Sequence, residues 1–361
     1  MARAIGLINA NYFTKADPAF TLGRPLASLP VLGRYRMIDF ALSNMANCCI
    51  RNVGVILPTN YRSIADHLGA GKEWSLDRKN GGLFLLPGSA FGTARRTGRF
   101  LIKDLLDNKA FLERSRTPYV VVSSASFIYN MSYTELVDAH EASGADVTMV
   151  TAKASADYDD MCGVVAEDGR VTGLTSTVKL GDTAFMDLFV IGREFLLELL
   201  ENYREVEHLD LFVALHDDLK DDNVRTYEYN GYSAAVLNGE QYFATNMALL
   251  DPNVQDKLFP ADRPIITKTH DTPPAKYGSG CHVANAMVSS GDRIHGTVST
   301  SVLGRNVIVE EGASVVNSII LQGVTIAKGA KVENAIIDRN LTIAAGTELR
   351  GTQDDIFIQQ R

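Results

Sequence analysis

Residues 302–332 read VLGRNVIVEEGASVVNSIILQGVTIAKGAKV, and this stretch decides the fold of the carboxyl-terminal part of the chain. Its aliphatic side chains, with one serine among them, recur at every sixth position: Val302, Ile308, Ser314, Ile320, Ile326 and Val332. After a one-residue slip the series resumes at Ile337, Ile343 and Leu349. A sixfold period fits neither an α-helix nor one long strand, and it is typical of a parallel β-helix. Three steps of six make one triangular coil, so residues 283–350 are predicted to form about four coils. A core helix or a β-sandwich is the alternative.

The first 250 residues show a different pattern, in which short β-branched runs alternate with helical periodicity. Buried strands are predicted at residues 5–8, 53–57, 119–123 and 146–151. Helices are predicted at residues 36–49, 61–68, 94–106 and 132–142. This alternation favours an α/β domain with a doubly wound, mostly parallel sheet, in which ligands bind beyond the carboxyl ends of the strands. Residues 9–15 and 123–127 would lie at those ends.

A proline-rich segment separates the two patterns. Residues 251–280 contain Pro252, Pro260, Pro264 and a Pro-Pro pair at 273–274, a composition that suits a linker packed on the surface. We therefore expect an α/β domain over residues 1–250, a linker over 251–280 and a β-helix over 281–361.

Composition excludes several classes of function. Of the 361 residues, 46% are apolar and 22% charged, as in ordinary soluble domains, and the formal net charge of −8 argues against nucleic acid or an anionic membrane as partner. No apolar run approaches the roughly 18 residues needed to span a bilayer. The four cysteines (Cys48, Cys49, Cys162 and Cys281) lack CxxC spacing and predict neither a disulfide framework nor a zinc site. The chain is expected to be cytoplasmic.

Motifs spread along the chain carry a specific resemblance. Residues 30–44 read PVLGRYRMIDFALSN and residues 50–55 read IRNVGV, while GTA stands at 92–94, PPAK at 273–276 and IIDR at 336–339. Together they resemble the ADP-glucose pyrophosphorylase (glucose-1-phosphate adenylyltransferase) family of bacterial glycogen synthesis, whose corresponding block reads GKFRIIDFALSN. The resemblance covers almost the whole chain. It implies a nucleotidyltransferase-like (Rossmann-like) domain followed by a left-handed parallel β-helix.

The resemblance fails where the family binds triphosphate and magnesium. The family's Gly-Gly-x-Gly-Thr-Arg loop corresponds here to a segment that begins Ala10, Asn11, Tyr12 and Phe13. Glycine in such a loop reaches positive φ and lets the backbone approach the phosphates, and the rings of Tyr12 and Phe13 would fill that space.

Both magnesium-binding carboxylates of the family are also replaced. Its Gly-Asp-His loop corresponds to residues 125–127, with Ser126 at the aspartate, and its second carboxylate corresponds to Ala235. Nucleotidyl transfer depends on Mg²⁺ held by carboxylates to neutralise the phosphates. Mg²⁺ binding is therefore expected to be lost, and no cofactor is expected.

This pattern of losses resembles the D-type subunits of the family. It implies a non-catalytic regulatory subunit that modulates a catalytic C-type ADP-glucose pyrophosphorylase subunit in a hetero-oligomer, a heterotetramer. The alternative is an active enzyme that converts ATP and glucose 1-phosphate to ADP-glucose and diphosphate, with an altered metal site built on Asp187 or Asp210. A stand-alone sensor of sugar phosphates is a third class. A homo-oligomer of the isolated chain stays open.

Three arginines are candidates for binding an anionic effector. Arg34, Arg36 and Arg51 flank the family block, where the resemblance places the effector region next to the β-helix. Guanidinium groups suit a sugar phosphate, phosphate or sulfate, although surface or interface ion pairs explain such arginines equally well. His282 and His295 raise a further class, because hexapeptide-repeat acyltransferases use a histidine base, but nothing else in the sequence suggests an acyl-coenzyme A site.

Overall fold

The computed structural model describes residues 3–11, 21, 23–89, 99–206, 209–218, 222–352 and 355–361. Helices α1–α9 span Met37–Asn47, Arg62–Leu68, Ile102–Asp107, Lys109–Glu113, Tyr133–Ser143, Arg193–Asn202, Leu211–Asp218, Gly239–Ala248 and Pro252–Leu258. Strands β1–β13 span Ala4–Asn9, Pro30–Val31, Tyr35–Arg36, Asn52–Leu57, Gly82–Pro87, Tyr119–Ser124, Phe127–Tyr129, Val147–Lys153, Gly163–Glu167, Arg170–Thr175, Thr183–Gly192, Val224–Glu228 and Ser233–Ala235. Short 3-10 turns lie at Leu26–Ser28 and Lys72–Trp74.

A nine-stranded mixed sheet forms the centre of the amino-terminal part, in the order β5-β4-β1-β6-β11-β8-β12-β10-β9. Four of its strands lie where the sequence predicts them, and β1 runs parallel to both β4 and β6. The ten-residue strand β11 was not predicted, and it is antiparallel to both of its neighbours, β6 and β8. Its side chains are almost all buried, so it shows no alternation of apolar and polar residues.

The helix predicted over residues 94–106 begins later than expected. Residues 94–98 lie outside the described part of the chain, and α3 begins only at Ile102. The reason is a competing set of hydrogen bonds: the N–H groups of Arg99 and Phe100 donate to the Asp210 carboxylate, and that of Ile102 donates to the Leu209 carbonyl.

The carboxyl-terminal part is a parallel β-helix. Strands β14–β26 span Lys276–Tyr277, His282–Met287, Arg293–Ile294, Thr297–Leu303, Ile308–Val309, Ser314–Val316, Ile319–Ile320, Thr325–Ile326, Lys331–Glu333, Ala335–Ile337, Thr342–Ile343, Glu348–Arg350 and Phe357–Gln359. Ile308 pairs with Thr325 and Thr325 with Thr342, so one coil takes 17 residues. The strands begin before and end after the predicted limits of 283 and 350, because β14 pairs with β16 and β26 with β23.

The interior positions of the β-helix correct the predicted series. They are Leu303, Val309 and Val315, then Ile320, Ile326 and Val332, then Ile337, Ile343 and Leu349. Each coil therefore takes steps of six, six and five residues. The slip before Ile337 was predicted, but an earlier slip between Val315 and Ile320 was missed. As a result the predicted inward positions Ile308 and Ser314 are only half-buried.

The two parts of the chain share a core. Val302, Ile319 and Ile336 point out of the β-helix and pack in one cluster with side chains of the amino-terminal part, including Leu29, Val31, Tyr242 and Phe243. Full burial of one such aliphatic side chain stabilises a fold by about 1.5–3 kcal/mol. A buried ion pair between Arg24 and Asp338 crosses the same junction, so a charged contact as well as apolar packing joins the β-helix to the α/β domain.

The segment between the two patterns has structure of its own. Residues Pro252–Leu258 form α9, and Lys276–Tyr277 form the first strand of a β-helix ladder. Within the described residues, no helix combines the length and the apolar character that crossing a membrane requires.

Candidate functional site

The structure brings Ser126 and Ala235 together. Strand β6 ends at Ser124, and the chain turns at once into β7, which pairs antiparallel with β13. Ala235 lies opposite Phe127, and the Val236 N–H donates to the Ser126 carbonyl across 2.8 Å. Both side chains are buried at the carboxyl end of a central strand, where ligands of such sheets bind. Neither side chain can offer a carboxylate to a metal.

The carboxylate next to this pair belongs to Asp187. It lies in β11 at a break in the register with β8, with φ at 51°, and its Oδ2 is 3.4 Å from the Ser126 hydroxyl. Asp187 is fully buried, and the Arg99 guanidinium donates to its Oδ1 across 2.8 Å. The Arg99 guanidinium therefore neutralises this carboxylate. A metal ion would have to displace Arg99 in order to bind Asp187.

Asp210, the other carboxylate considered as a metal ligand, is committed to the backbone. One oxygen accepts the N–H groups of Arg99 and Phe100, and the other accepts that of Phe212 across 2.9 Å in the first turn of α7. Burial raises the pKa of Asp210, while these backbone hydrogen bonds act in the opposite direction. No cluster of three or more possible metal ligands occurs among the described residues. The residues present do not fit a magnesium site of the family's kind.

The described start of the segment that corresponds to the family's phosphate loop is held by hydrogen bonds of two asparagines. Ala10 and Asn11 are buried, whereas Tyr12 and Phe13 lie outside the described residues. The Asn11 N–H donates to the side chain of Asn9, and its side-chain amide donates to Asp104 across 2.7 Å. Burial raises the pKa of Asp104, and hydrogen bonds from Ser89 and Asn11 oppose that shift. The Asn11 N–H is therefore engaged within the protein rather than presented to a phosphate.

Arginines from distant segments gather at the junction with the β-helix. Arg36 donates from its side chain to the Ser63 carbonyl, and its backbone N–H is accepted by Asp39 at the start of α1. Burial lowers the pKa of Arg36 to about 10; Asp39 opposes the shift, and the positive charges of Arg24, Arg339 and Arg305 add to it. Arg36 therefore lies close enough to each of these three arginines to be repelled by it.

Arg34 and Arg305 extend this group. Arg305 donates to the Arg34 carbonyl across 3.2 Å, and burial together with the Arg34 charge lowers the pKa of Arg305. The Arg34 guanidinium lies over the ring of Tyr35 and is exposed. His270 is nearby, and its pKa is lowered by partial burial and then by Arg305 and Lys268. We call Arg24, Arg34, Arg36, Arg305 and Arg339 the junction arginines.

The third candidate arginine lies elsewhere. Arg36 precedes the 11-residue helix α1 and Arg51 follows it, so about 16 Å of helix separates them. The structure thus brings Arg34 and Arg36 together and places Arg51 apart. Sequence reasoning missed Arg24 and Arg305, which no motif marks, while Arg339 belongs to the IIDR motif. His282 and His295 are exposed at the start of the β-helix.

Comparisons with known proteins agree with this architecture. The family described as "Nucleotidyl transferase" matches residues 20–183, and the family described as "GlmU-like, C-terminal hexapeptide" matches residues 273–355. The fold is thus that of a nucleotidyltransferase with a hexapeptide-repeat region.

Individual relatives extend over most of the chain. "Glycogen biosynthesis protein GlgD" of Bacillus subtilis (strain 168) is 30% identical over 318 residues, covering 86% of this chain and 82% of the relative. GlgD of Geobacillus stearothermophilus is 32% identical over 316 residues, covering 87% and 83%. "Glucose-1-phosphate adenylyltransferase" of Lachnospira eligens is 28% identical over 285 residues, covering 77% and 67%. The chain belongs to the family of the GlgD proteins and glucose-1-phosphate adenylyltransferases, which confirms the resemblance inferred from the motifs.

Proposed function

We propose that this chain is a non-catalytic regulatory subunit in bacterial glycogen biosynthesis, which modulates a catalytic C-type ADP-glucose pyrophosphorylase subunit in a hetero-oligomer. Membership of the family supports its place in glycogen biosynthesis. The regulatory part of the proposal rests on the contrast between a silent catalytic centre and an intact scaffold.

One observation carries the proposal: the buried carboxylate beside Ser126 and Ala235 is paired with the Arg99 guanidinium. Charge on the reacting phosphates would have to be neutralised by a metal held at this point. An arginine already bound to Asp187, with Asp210 tied to the backbone, argues against the alternative of an active enzyme with an altered metal site.

The junction arginines supply the regulatory element. Arg24 is buried, and Arg36 and Arg305 are half-buried. Guanidinium groups that are partly desolvated and close to one another are destabilised by desolvation and by mutual repulsion, and a bound anion relieves both. Arg24 is paired with Asp338, whereas Arg36 and Arg305 reach backbone carbonyls. A phosphate, sulfate or sugar phosphate bound here would contact the α/β domain and the β-helix at once, and so would bias their relative position.

The deciding experiment compares three preparations: this chain alone, the C-type subunit alone and the co-purified complex, each assayed for ADP-glucose formation from ATP and glucose 1-phosphate. We expect no turnover by this chain alone. In the complex we expect a change of about 5- to 150-fold in the affinity of the C-type subunit for substrate or effector, the usual range of such coupling.

Two variants sharpen the test. Replacing Arg34 and Arg36 together with alanine is expected to reduce the modulation without preventing assembly. Arg62→Ala, which removes an almost fully exposed arginine, is the matched control. Magnesium-dependent turnover by this chain alone would contradict the non-catalytic role. Identical saturation curves with and without this chain, where co-elution proves assembly, would contradict the regulatory role.

A further inference from the structure

A short hairpin lies between the two parts of the chain. Strands β2 and β3 pair antiparallel and form this hairpin over residues 30–36. Its turn consists of Leu32, with φ at 48°, and Gly33, with φ at 63°. Positive φ at both central residues is the geometry of the tight two-residue turns that match the twist of a hairpin. The hairpin carries Arg34 and Arg36, two of the junction arginines.

The tip of the hairpin is packed against the β-helix. A Cβ on Gly33 would collide with the Leu303 carbonyl oxygen and the Ser289 hydroxyl. The Ser289 hydroxyl donates to that same carbonyl across 2.7 Å, so both groups are held in place. Beside the tip, Arg305 of the β-helix donates to the Arg34 carbonyl. Because packed groups do not deform continuously, a shift of the β-helix must either carry the hairpin with it or open this contact.

Helix α8 holds the hairpin from the side of the α/β domain. The Tyr242 hydroxyl donates to the Pro30 carbonyl across 2.6 Å. The Leu32 N–H donates to the side chain of Asn246 across 2.9 Å. Tyr242 and Asn246 lie one turn apart on the same face of α8, and both are buried. A buried hydrogen bond is costly to leave unmade, so we expect the hairpin and α8 to move together.

Helix α8 leads directly to the site formed by Ser126 and Ala235. Its first residue follows Ala235 after a segment of three residues, 236–238. In that segment the Val236 N–H donates to the Ser126 carbonyl, and the Leu237 N–H donates to the side chain of Gln241 on α8. A change in the position of α8 therefore reaches the backbone around Ser126 and Ala235.

We propose that the hairpin couples the anion site at the junction arginines to helix α8, with Tyr242 and Asn246 as the positioning residues that carry the coupling. An anion bound there fixes the hairpin on which Arg34 and Arg36 stand. The two buried hydrogen bonds then fix α8, and with it the segment next to Ala235. Without the anion, neighbouring arginines repel Arg36 and favour departures from this arrangement. This inference rests on the proposed function, because it needs an anion at the junction, and it adds the route by which that site acts on the α/β domain.

The test is hydrogen–deuterium exchange of the full-length chain, read by peptide mass spectrometry in sulfate and in chloride of equal ionic strength. Slower exchange reports rarer local opening. We expect sulfate to slow exchange both in the hairpin and in α8 by roughly 5-fold or more, the lower end of the usual coupling between sites. The slowing should be absent in Arg36→Met/Arg305→Met, where the general stabilising effect of sulfate persists. Slowing in the hairpin without slowing in α8 would refute the coupling and leave the anion site standing. No slowing in either element would refute both.

Variants of α8 separate this coupling from a merely structural role. Tyr242→Phe removes one hydroxyl, and Asn246→Leu removes the acceptor of the Leu32 N–H with a side chain of similar size. In the double variant, sulfate should still slow exchange in the hairpin, because the arginines are intact, but should slow exchange in α8 much less. Tyr242→Phe alone should show a partial loss of the same kind. Glu240→Gln, at an exposed position of the same helix, is the matched control and should behave as the unaltered chain. Equal slowing of α8 in the unaltered chain and in both Tyr242 variants would overturn the assignment.

Discussion

Arg99 donates a hydrogen bond to Asp187 across 2.8 Å, and the carboxylate that it neutralises is fully buried beside Ser126. The pair stands at the carboxyl end of the central strands, where ligands of such sheets bind. Two observations thus support the proposed loss of catalysis: Arg99 neutralises Asp187, and positions 126 and 235 lack carboxylates. An arginine paired in this way stabilises the fold without any ligand.

Removing Arg99 and removing Asp187 should each lower the free energy of unfolding, but by different amounts. Arg99→Met leaves the buried Asp187 without this cation and is expected to destabilise the fold by about 3–5 kcal/mol. Asp187→Gly should cost less, because φ at 51° suits glycine and Arg99 is partly exposed and can turn toward water. The double variant should recover part of the loss. Urea denaturation of the three variants measures their free energies of unfolding. Equal losses of stability in the two single variants would contradict this prediction.

Restoring the missing carboxylates should not restore turnover. In the double variant Ser126→Asp/Ala235→Asp, the carboxylate introduced at position 126 would lie within reach of Asp187 in a buried site, and like charges there repel. We expect lower stability, no ADP-glucose formation, and no rise of the melting temperature with Mg²⁺. The matched control is Ser126→Asn/Ala235→Asn, which has the same shape without the charge. Substantial magnesium-dependent synthesis by the aspartate variant would show that the carboxylates alone were lacking.

Anions should stabilise the chain through the junction arginines. Binding of sulfate or phosphate to the folded state alone raises stability by about 2.7 kcal/mol at 100 times its dissociation constant. The rise in melting temperature with sulfate should be lost in Arg36→Met/Arg305→Met and retained in Arg62→Met, whose arginine is solvated. An unchanged sulfate response in the double variant would exclude the junction as the anion site.

His140 should make the fold sensitive to mild acid. It is buried beside Thr148, and burial lowers its pKa from 6.5 to about 4, with Asp146 and Glu141 opposing the shift. Between these values the unfolded chain binds a proton that the folded chain does not, so stability is lost as the pH falls from about 6.5 toward 4. The full shift corresponds to roughly 3 kcal/mol. His140→Gln should flatten the dependence of the free energy of unfolding on pH, and an unchanged pH dependence would contradict this assignment.

Cys49→Gly should stabilise the reduced chain. The residue holds a left-handed conformation at the end of α1, and removing its Cβ relieves the strain by about 0.5–1 kcal/mol after the entropy of glycine in the unfolded state is allowed for. Cys49→Ala keeps the Cβ and should give no such gain. Thermal unfolding under reducing conditions measures the difference, and equal melting temperatures for the two variants would contradict it.

Much of the fold could be predicted from the sequence because the patterns that indicate it lie within short stretches of the chain. The sixfold recurrence from Val302 to Val332 predicted the β-helix, and β-branched runs predicted β1, β4, β6 and β8. The earlier slip between Val315 and Ile320 was missed because Val302 and Ile308, which precede the true interior positions, are also aliphatic, and only Ser314 interrupted the predicted series. Strand β11 was missed because burial on both of its faces removes the alternation that identifies a half-buried strand.

The sequence by itself determined which chemical groups are missing: no carboxylate stands at Ser126 or Ala235, and no glycine at Ala10 or Asn11. Only the tertiary structure decided what replaces them. The Arg99–Asp187 pair and the Asn11–Asp104 hydrogen bond join residues that lie far apart in the chain. Likewise the junction arginines come from both ends of the chain, while the short stretch from Arg36 to Arg51 is split by a rigid helix. Charge interactions act through space over a few ångströms, and separation along the chain does not report that distance.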